Sequence, residues 1–359
     1  LAGVCHWSQL DLTMRLGGRR QLSALLASSL STAASGFIVT KAPRRSSRKF
    51  LSSKLDMMAS TTKKVALLQF AVSSHKDQNH QRASDFLQRA SQQNCQLAVL
   101  PEIWNGPYAT AAFEEYAEVL PEVGHTDEIN ASPSARLLQQ HAIEHQMWIV
   151  GGSISEKDGD GKLYNTCLVF DPKGKVVAKH RKVHMFDIDV PGGITFRESD
   201  TLSPGDSLTT FDGGNDFGMV GVGICYDIRF PEYSQVLTQK YSCNILIFPG
   251  AFNLTTGPAH WELLQRARAV DNQCYVLTAS PARTTEENSD NSKYPHYTAW
   301  GHSTVVAPWG DVVATTDESE SMVVAELDLA KVTSMRQSIP TFQQKRNDLY
   351  LLDETKKSS

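Results

Sequence analysis

Four ionisable side chains, widely spaced in the sequence, have between them the chemistry to open an amide: Glu102, Lys182, Glu198 and Cys225. A carboxylate held out of water has the raised pKa needed to take a thiol proton, and the thiolate so formed attacks a carbonyl carbon. A lysine ammonium, together with the backbone N–H of Tyr226, stabilises the oxyanion. The carboxylate then returns its proton to leaving ammonia, water hydrolyses the thioester, and Glu198 positions Lys182 or that water. Taken alone, Cys225 reads as a small core residue, as most cysteines in apolar runs are. Its reactivity depends on a base and an oxyanion stabiliser arriving from elsewhere in the chain.

The elements that must deliver these groups are legible as buried strands. Met219-Val-Gly-Val-Gly-Ile224 is an apolar, glycine-punctuated run that ends on Cys225, and Pro231 shortly after it opens a helix. Val65–Phe70 and Gln96–Leu100 are further strands flanking a helix over about 79–93, and Pro101 stops the second of them just before Glu102. Strand, helix and strand imply a crossover, hence an α/β fold with a covered sheet whose chemistry lies at the carboxyl ends of its strands. A helix over 134–146 leads into a strand at Met147–Gly152. Leu163–Phe170, the turn Asp171-Pro-Lys-Gly174 and Lys175–Ala178 form a hairpin, preceded by an Asp158-Gly159 pair and followed by Lys182. The stretch 187–205, rich in Gly, Pro and charge, is long for a plain connection and carries Glu198. Beyond the cysteine come a strand at Asn244–Phe248, a helix over 258–272, and short strands at 274–278, 304–307, 312–315 and 322–326. Asn288–Ser292 reads as a flexible surface insertion.

The 359 residues are 41% hydrophobic and 21% charged, with 35 basic and 39 acidic side chains, the balance of a soluble globular protein without a general pull toward nucleic acid or anionic membrane. Nothing in the sequence approaches the roughly 18 consecutive apolar residues of a membrane span. Six scattered cysteines without a CxxC pair suggest neither a disulfide framework nor a structural zinc site, and fit a reducing compartment. The sequons at Asn130 and Asn253 read as chance matches without a secretory segment. Residues 1–62 differ in kind: between Met14 and Lys54 there are nine Lys/Arg and no acid, the composition of an organelle transit peptide, leaving residues 63–359 as the folded domain. The leader directs the product to mitochondrion or plastid; starts at Met57 or Met58 delete it and leave the product in the cytosol.

Pro101-Glu102, the segment His180-Arg-Lys182-Val-His184 and Gly223-Ile-Cys225-Tyr-Asp-Ile-Arg-Phe-Pro231 resemble the Glu, Lys and Cys signatures of the nitrilase superfamily of carbon–nitrogen hydrolases. Asp187–Pro191, Ile194–Glu198, Leu202–Asp206 and the run from Pro249 to Gln273 resemble its omega-amidase branch, and the similarity covers Lys64 to Tyr350. The resemblance implies a four-layer α-β-β-α sandwich that dimerises sandwich on sandwich or builds a larger homo-oligomer. It also implies no metal or organic cofactor, and hydrolysis of the small oxo-acid amides 2-oxoglutaramate and 2-oxosuccinamate to 2-oxoglutarate and oxaloacetate plus ammonia. The sequence departs from the pattern in the basic leader, in an insertion around 286–293, and at Gly193, where a lysine is expected.

Such a substrate ends in a carboxylate, so the site needs a second cation, and Arg229 suits it, since a guanidinium fork matches a carboxylate. The competing reading of Arg229 is a structural ion pair with Asp227 or Glu232. Tyr108 in Asn105-Gly-Pro-Tyr108 reads as pocket lining or a loop anchor, and Asn253 and Thr256 as weaker pocket positions. Four alternatives compete. A cysteine–histidine hydrolase using His184, His260 or His302 leaves Glu102 and Lys182 unemployed. His141-Ala-Ile-Glu-His145 matches the H-x-x-E-H pattern of some zinc peptidases but offers no obvious third ligand. A related amidase acting on deaminated glutathione or an N-carbamoyl compound shares the same signatures, whereas Tyr-Asp after the cysteine speaks against nitrile hydrolysis. A catalytically silent scaffold is disfavoured by the intact Glu102, Lys182 and Cys225.

Overall fold

The computed structural model describes residues 62–355 apart from 190, 192–194 and 285–292. The basic leader, Gly193 and the Asn288–Ser292 insertion therefore lie outside the described residues. The first sheet holds β1 (Thr62–Gln69), β2 (Leu97–Val99), β3 (Trp148–Val150), β4 (Ile154–Lys157), β5 (Leu163–Phe170), β6 (Val176–Arg181) and β15 (Ser321–Asp328), in the order β15-β1-β2-β3-β5-β4 with β6 on β5. Helices α1 (Lys76–Gln92) and α2 (Pro133–His145) cover one face. Alternation along β1 assigns its faces: Ala66 and Leu68 pack with Phe86 and Leu87 of α1 and Leu138 and Ala142 of α2, while Val65 and Leu67 face the second sheet. Both faces are buried, which is why the strand reads as a continuous apolar run.

The second sheet runs β14-β13-β12-β11-β10-β9, with β9 (Thr209–Asp212), β10 (Met219–Val222), β11 (Ile245–Ile247), β12 (Tyr275–Thr278), β13 (Thr304–Val306) and β14 (Val312–Thr315). Helices α3 (Pro231–Gln239) and α4 (Gly257–Asn272) lie on its outer side, contributing Leu237, Trp261 and Ala269 to a core that continues between the sheets. The result is the four-layer α-β-β-α sandwich. A last helix, α5 (Ala330–Ser338), follows β15. Among the described residues, no helix is long and apolar enough to cross a membrane.

Four features depart from the sequence reading. The connection over 187–205 is not structureless: β7 (Asp187–Asp189) and β8 (Thr195–Arg197) pair as a small ribbon, and a single 3₁₀ turn at Glu198–Asp200 follows. β4, β9 and α5 lack a strong periodic signal and were not expected. The Asp158-Gly159 pair closes the β4–β5 hairpin, with Asp158 Oδ1 accepting from the N–H groups of Asp160 and Lys162. Finally, the strand before the cysteine stops at Val222, and Cys225 opens a 3₁₀ turn, Cys225–Arg229, that leads into Pro231 at the start of α3.

Candidate active site

Glu102 follows β2, Lys182 follows β6, and Cys225 follows β10, so the carboxyl ends of strands from both sheets converge. Gly152 makes the first corner possible: its φ is +62°, and a Cβ there would lie 2.1 Å from the Pro101 carbonyl oxygen. Lys182 Nζ lies 3.1 Å from Glu102 Oε1 and 2.8 Å from Glu198 Oε2, and all three side chains are completely buried. The remaining acceptor capacity is used. Glu102 Oε1 accepts from Asn165 Nδ2 at 2.9 Å, its Oε2 accepts from the Ala251 N–H at 2.8 Å, and Glu198 Oε2 accepts from the Phe186 N–H at 2.9 Å. Burial works against the Lys182 charge, but Glu102 and Glu198 outweigh it and hold the ammonium above the ordinary lysine value. Burial lifts the Glu102 carboxyl above its usual range; Lys182 opposes that lift without cancelling it, and Glu198 adds to it.

The Cys225 thiol is buried beside Glu102, the side chain that acts on it most strongly. Burial, then the Glu102 charge, pushes the thiol well above its ordinary pKa, with Lys182 opposing. At rest the sulfur keeps its proton, and Glu102 is the neighbour placed to receive it. Cys225 has φ +46°, a left-handed conformation rare for a residue with a side chain, and its N–H is tied to the Pro249 carbonyl at 2.7 Å. The next amide, that of Tyr226, donates to no described backbone or side-chain acceptor, so an N–H donor stands free beside the sulfur.

Tyr108 reaches both carboxylates, its hydroxyl 3.3 Å from Glu102 Oε1 and 3.4 Å from Glu198 Oε1, and its ring lies against Tyr297 at 4.6 Å. With Glu102, Ala251 and His296 these two tyrosines line a cavity of about 460 Å³. Arg229 makes no ion pair with Asp227, Glu232 or any other described carboxylate. Its Nη1 lies 3.1 Å from His260 Nδ1, its guanidinium sits 4.6 Å above the Phe252 ring, and its Nε is buried without a partner. Asn253 and Thr256 are engaged with each other: Asn253 Oδ1 accepts from the N–H groups of Thr255 and Thr256 and from Thr256 Oγ1, shaping the turn into α4. The structure thus gathers Glu102, Lys182, Glu198, Cys225 and Tyr108 directly, sets Arg229 beside them, and gives Asn253 and Thr256 a local turn contact.

None of the histidines weighed as a partner for Cys225 bonds to it. His184 donates to Asp227 and stacks on Phe230 at 3.6 Å, His260 meets Arg229, and His302 stacks on Trp300. In the sequence Asp227 offers only an ion pair to Arg229, and the structure gives it a larger part. Fully buried, it accepts from His180 Nε2 at 3.1 Å, His184 Nδ1 at 2.8 Å, and the N–H groups of His184 and Ile224 at 2.9 Å each. One carboxylate therefore fastens the cysteine turn to both sides of Lys182. Burial raises the Asp227 pKa, but the bonds from His180 and His184 more than reverse this and hold it far below the aspartate range. Asn165, a polar residue in the middle of an eight-residue buried strand, carried a usable signal; Tyr297, beside the insertion, carried none.

The carbon–nitrogen hydrolase family model matches residues 64–337, and the chain belongs to that family. It is 53% identical over 297 residues to omega-amidase NIT2 of Bos taurus, covering 83% of this chain and 99% of the relative, and 51% identical over 296 residues to omega-amidase NIT2 of Homo sapiens, covering 82% and 99%. Among solved structures it is similar to Saccharomyces cerevisiae Nit3, a member of branch 10 of the nitrilase superfamily, with TM-score 0.68 and 42% identity over 79% of this chain and 97% of that one. The C. elegans NitFhit protein gives TM-score 0.70 and 32% identity, covering 84% and 70%. The protein is a hydrolase of carbon–nitrogen bonds in small amides.

Asp227→Ala leaves the buried His180, the half-buried His184 and the Ile224 amide without their acceptor, and is expected to cost about 3 kcal/mol or more in denaturant unfolding. Because the folded-state pKa of Asp227 is depressed, its contribution is complete above the ordinary aspartate value and is lost as pH falls toward the lowered one. The stability gap between wild type and Asp227→Asn should therefore be constant near neutrality and narrow below about pH 4; a gap that widens there would contradict the assignment.

Proposed function

We propose that the chain is an omega-amidase that hydrolyses the terminal amide of 2-oxoglutaramate and 2-oxosuccinamate through a thioester on Cys225. Glu102 takes the thiol proton as sulfur attacks the amide carbonyl, and Lys182 Nζ and the Tyr226 N–H receive the oxyanion. The tetrahedral adduct collapses with transfer of the Glu102 proton to nitrogen, the C–N bond breaks and ammonia leaves. Water, deprotonated by Glu102, then attacks the thioester, releasing the carboxylic acid and restoring the thiol. Glu198 holds Lys182 in register and keeps its charge.

The observation that carries the choice of substrate is the half-buried Arg229 guanidinium, which lacks a carboxylate partner and has its Nε idle. A dicarboxylate monoamide brings the missing carboxylate, and the named activity of the relatives at about half identity supports the same reading. An ammonia-release panel containing both oxo-amides, glutamine, deaminated glutathione and an aliphatic nitrile tests it. Both oxo-amides should lead; preference for deaminated glutathione would favour the sister amidase activity instead. Cys225→Ala should abolish turnover with the fold intact, Lys182→Ala should lower kcat about 10²–10³-fold, and Arg229→Ala should cost about 10–100-fold on the oxo-amides while sparing a neutral amide. Equal losses on both would remove Arg229 as the anchor.

We also infer a homodimer or a larger assembly built through the outer face of the second sheet's helices. Leu263 and Val270 of α4 are 63% and 45% exposed, with Leu254 at 48% before the helix and Trp309 at 52% beside it, where Arg266 Nε donates to the Gly310 carbonyl at 2.8 Å. Sedimentation equilibrium should return at least twice the monomer mass, reduced toward one chain by Leu263→Glu; a monomeric wild type refutes this. For residues 1–62 we propose organelle targeting, to mitochondrion or plastid, with the cytosol as the site of products begun at Met57 or Met58. A fluorescent fusion of residues 14–60 should localise to the organelle, and diffuse cytosolic signal would rule the proposal out.

A further inference from the structure

The H-x-x-E-H motif takes no part in the catalytic cluster and sits on a helix of its own. His141, Glu144 and His145 lie on α2, on the far side of the first sheet from the second. Their spacing places all three on one helical face, since positions three and four apart are surface neighbours. The third ligand missing from the sequence is Glu144 itself: one ligand atom from each of the three side chains lies within 4.8 Å of the others.

The distances suit an ion. His141 Nδ1 and His145 Nε2 face each other across 3.0 Å, a gap closed by one shared proton that an incoming ion would displace. Two imidazole nitrogens each about 2.1 Å from a metal lie about 3.0 Å apart at right angles and about 3.4 Å apart in a tetrahedron, so the nitrogens are already at the right separation and binding turns the rings until both lone pairs converge on the ion. The outer nitrogen of the first ring is also held. Ser84 Oγ of α1 lies 2.7 Å from His141 Nε2, which keeps Nδ1 turned toward His145, and metal-bound imidazoles are characteristically steadied through their second nitrogen in this way. His145 is the last residue of α2, where exposed carbonyls favour positive charge. Both rings are half-buried and Glu144 is exposed, so an ion would keep open positions for water.

We propose that His141, Glu144 and His145 form a binding site for a borderline divalent cation of the Zn²⁺, Ni²⁺ or Cu²⁺ class, separate from the catalytic centre. Two imidazoles and one carboxylate select such ions over Mg²⁺ and Ca²⁺, which prefer all-oxygen shells. An ion there bridges adjacent turns of α2 and, through the His141–Ser84 contact, stiffens its seam with α1. The site takes no part in amide hydrolysis, because it shares no residue or contact with Glu102, Lys182 or Cys225.

Calorimetric titration of the full-length protein with NiCl₂ tests this, with the same titration on Cys225→Ser to exclude the active-site thiol as the ligand. One saturable equivalent is expected on both proteins. His145→Ala and His141→Ala should each weaken it at least about tenfold, the loss expected even for residues one shell further from a metal. Ni²⁺ should raise the melting temperature of wild type but not of His145→Ala, which should keep wild-type ammonia release. Absence of saturable binding, binding unchanged in both histidine variants, or binding lost in Cys225→Ser alone overturns the site.

Discussion

The structure is arranged around one buried ammonium between two buried carboxylates. Lys182, Glu102 and Glu198 are wholly out of water, and such burial costs several kcal/mol per charge unless geometry and hydrogen bonds offset it. Here they do: Asn165, Tyr108 and the amides of Ala251 and Phe186 complete the coordination of the two acids. The three groups together still carry one excess negative charge when all are ionised. That excess, added to burial, raises the proton affinity of Glu102 beside the Cys225 sulfur. The charge count thus makes Glu102 a base strong enough to deprotonate a thiol, without any histidine.

This arrangement cannot be built from one sheet. Glu102, Lys182 and Asn165 come from the first sheet or its strand ends, while Cys225 and the Ala251 amide come from the second. Closing the sandwich and assembling the charged cluster are therefore one event. Asp227 binds the two halves again a few residues away, taking the histidines on either side of Lys182 while holding the amide that precedes the cysteine. The left-handed backbone at Cys225, strained by on the order of 1–3 kcal/mol, persists because Pro249 and Asp227 hold the turn on both sides.

Much of this was legible in the sequence, and for identifiable reasons. Buried parallel strands such as 65–69 and 245–247 announce themselves as short apolar runs, and Pro101 and Pro231 punctuate them. The four chemical residues could be named because each stands at the end of such a run or in a loop too long to be a plain connection. β4 and β9 were not legible because polar residues such as Glu156 and Thr209 sit inward there, engaged by Arg181 and His180. Asp227 was read only as a partner for Arg229; its true partners are 47 and 43 residues away, a pairing that no local pattern encodes. The same limit applies to Arg229, whose freedom follows from Asp227 being occupied elsewhere.

The pairing of β1 with β15 sets a condition on how the molecule is made. The first strand among the described residues, Thr62–Gln69, aligns along its whole length with the last, Ser321–Asp328, in an antiparallel ladder. Until the final strand leaves the ribosome, β1 presents an apolar strand with an open edge, the form most prone to pair with the wrong neighbour. At 5–20 residues per second the wait is on the order of ten seconds or more. The first sheet therefore stays open at the β1 edge until β15 is made, and a contact of such long sequence separation forms late in folding.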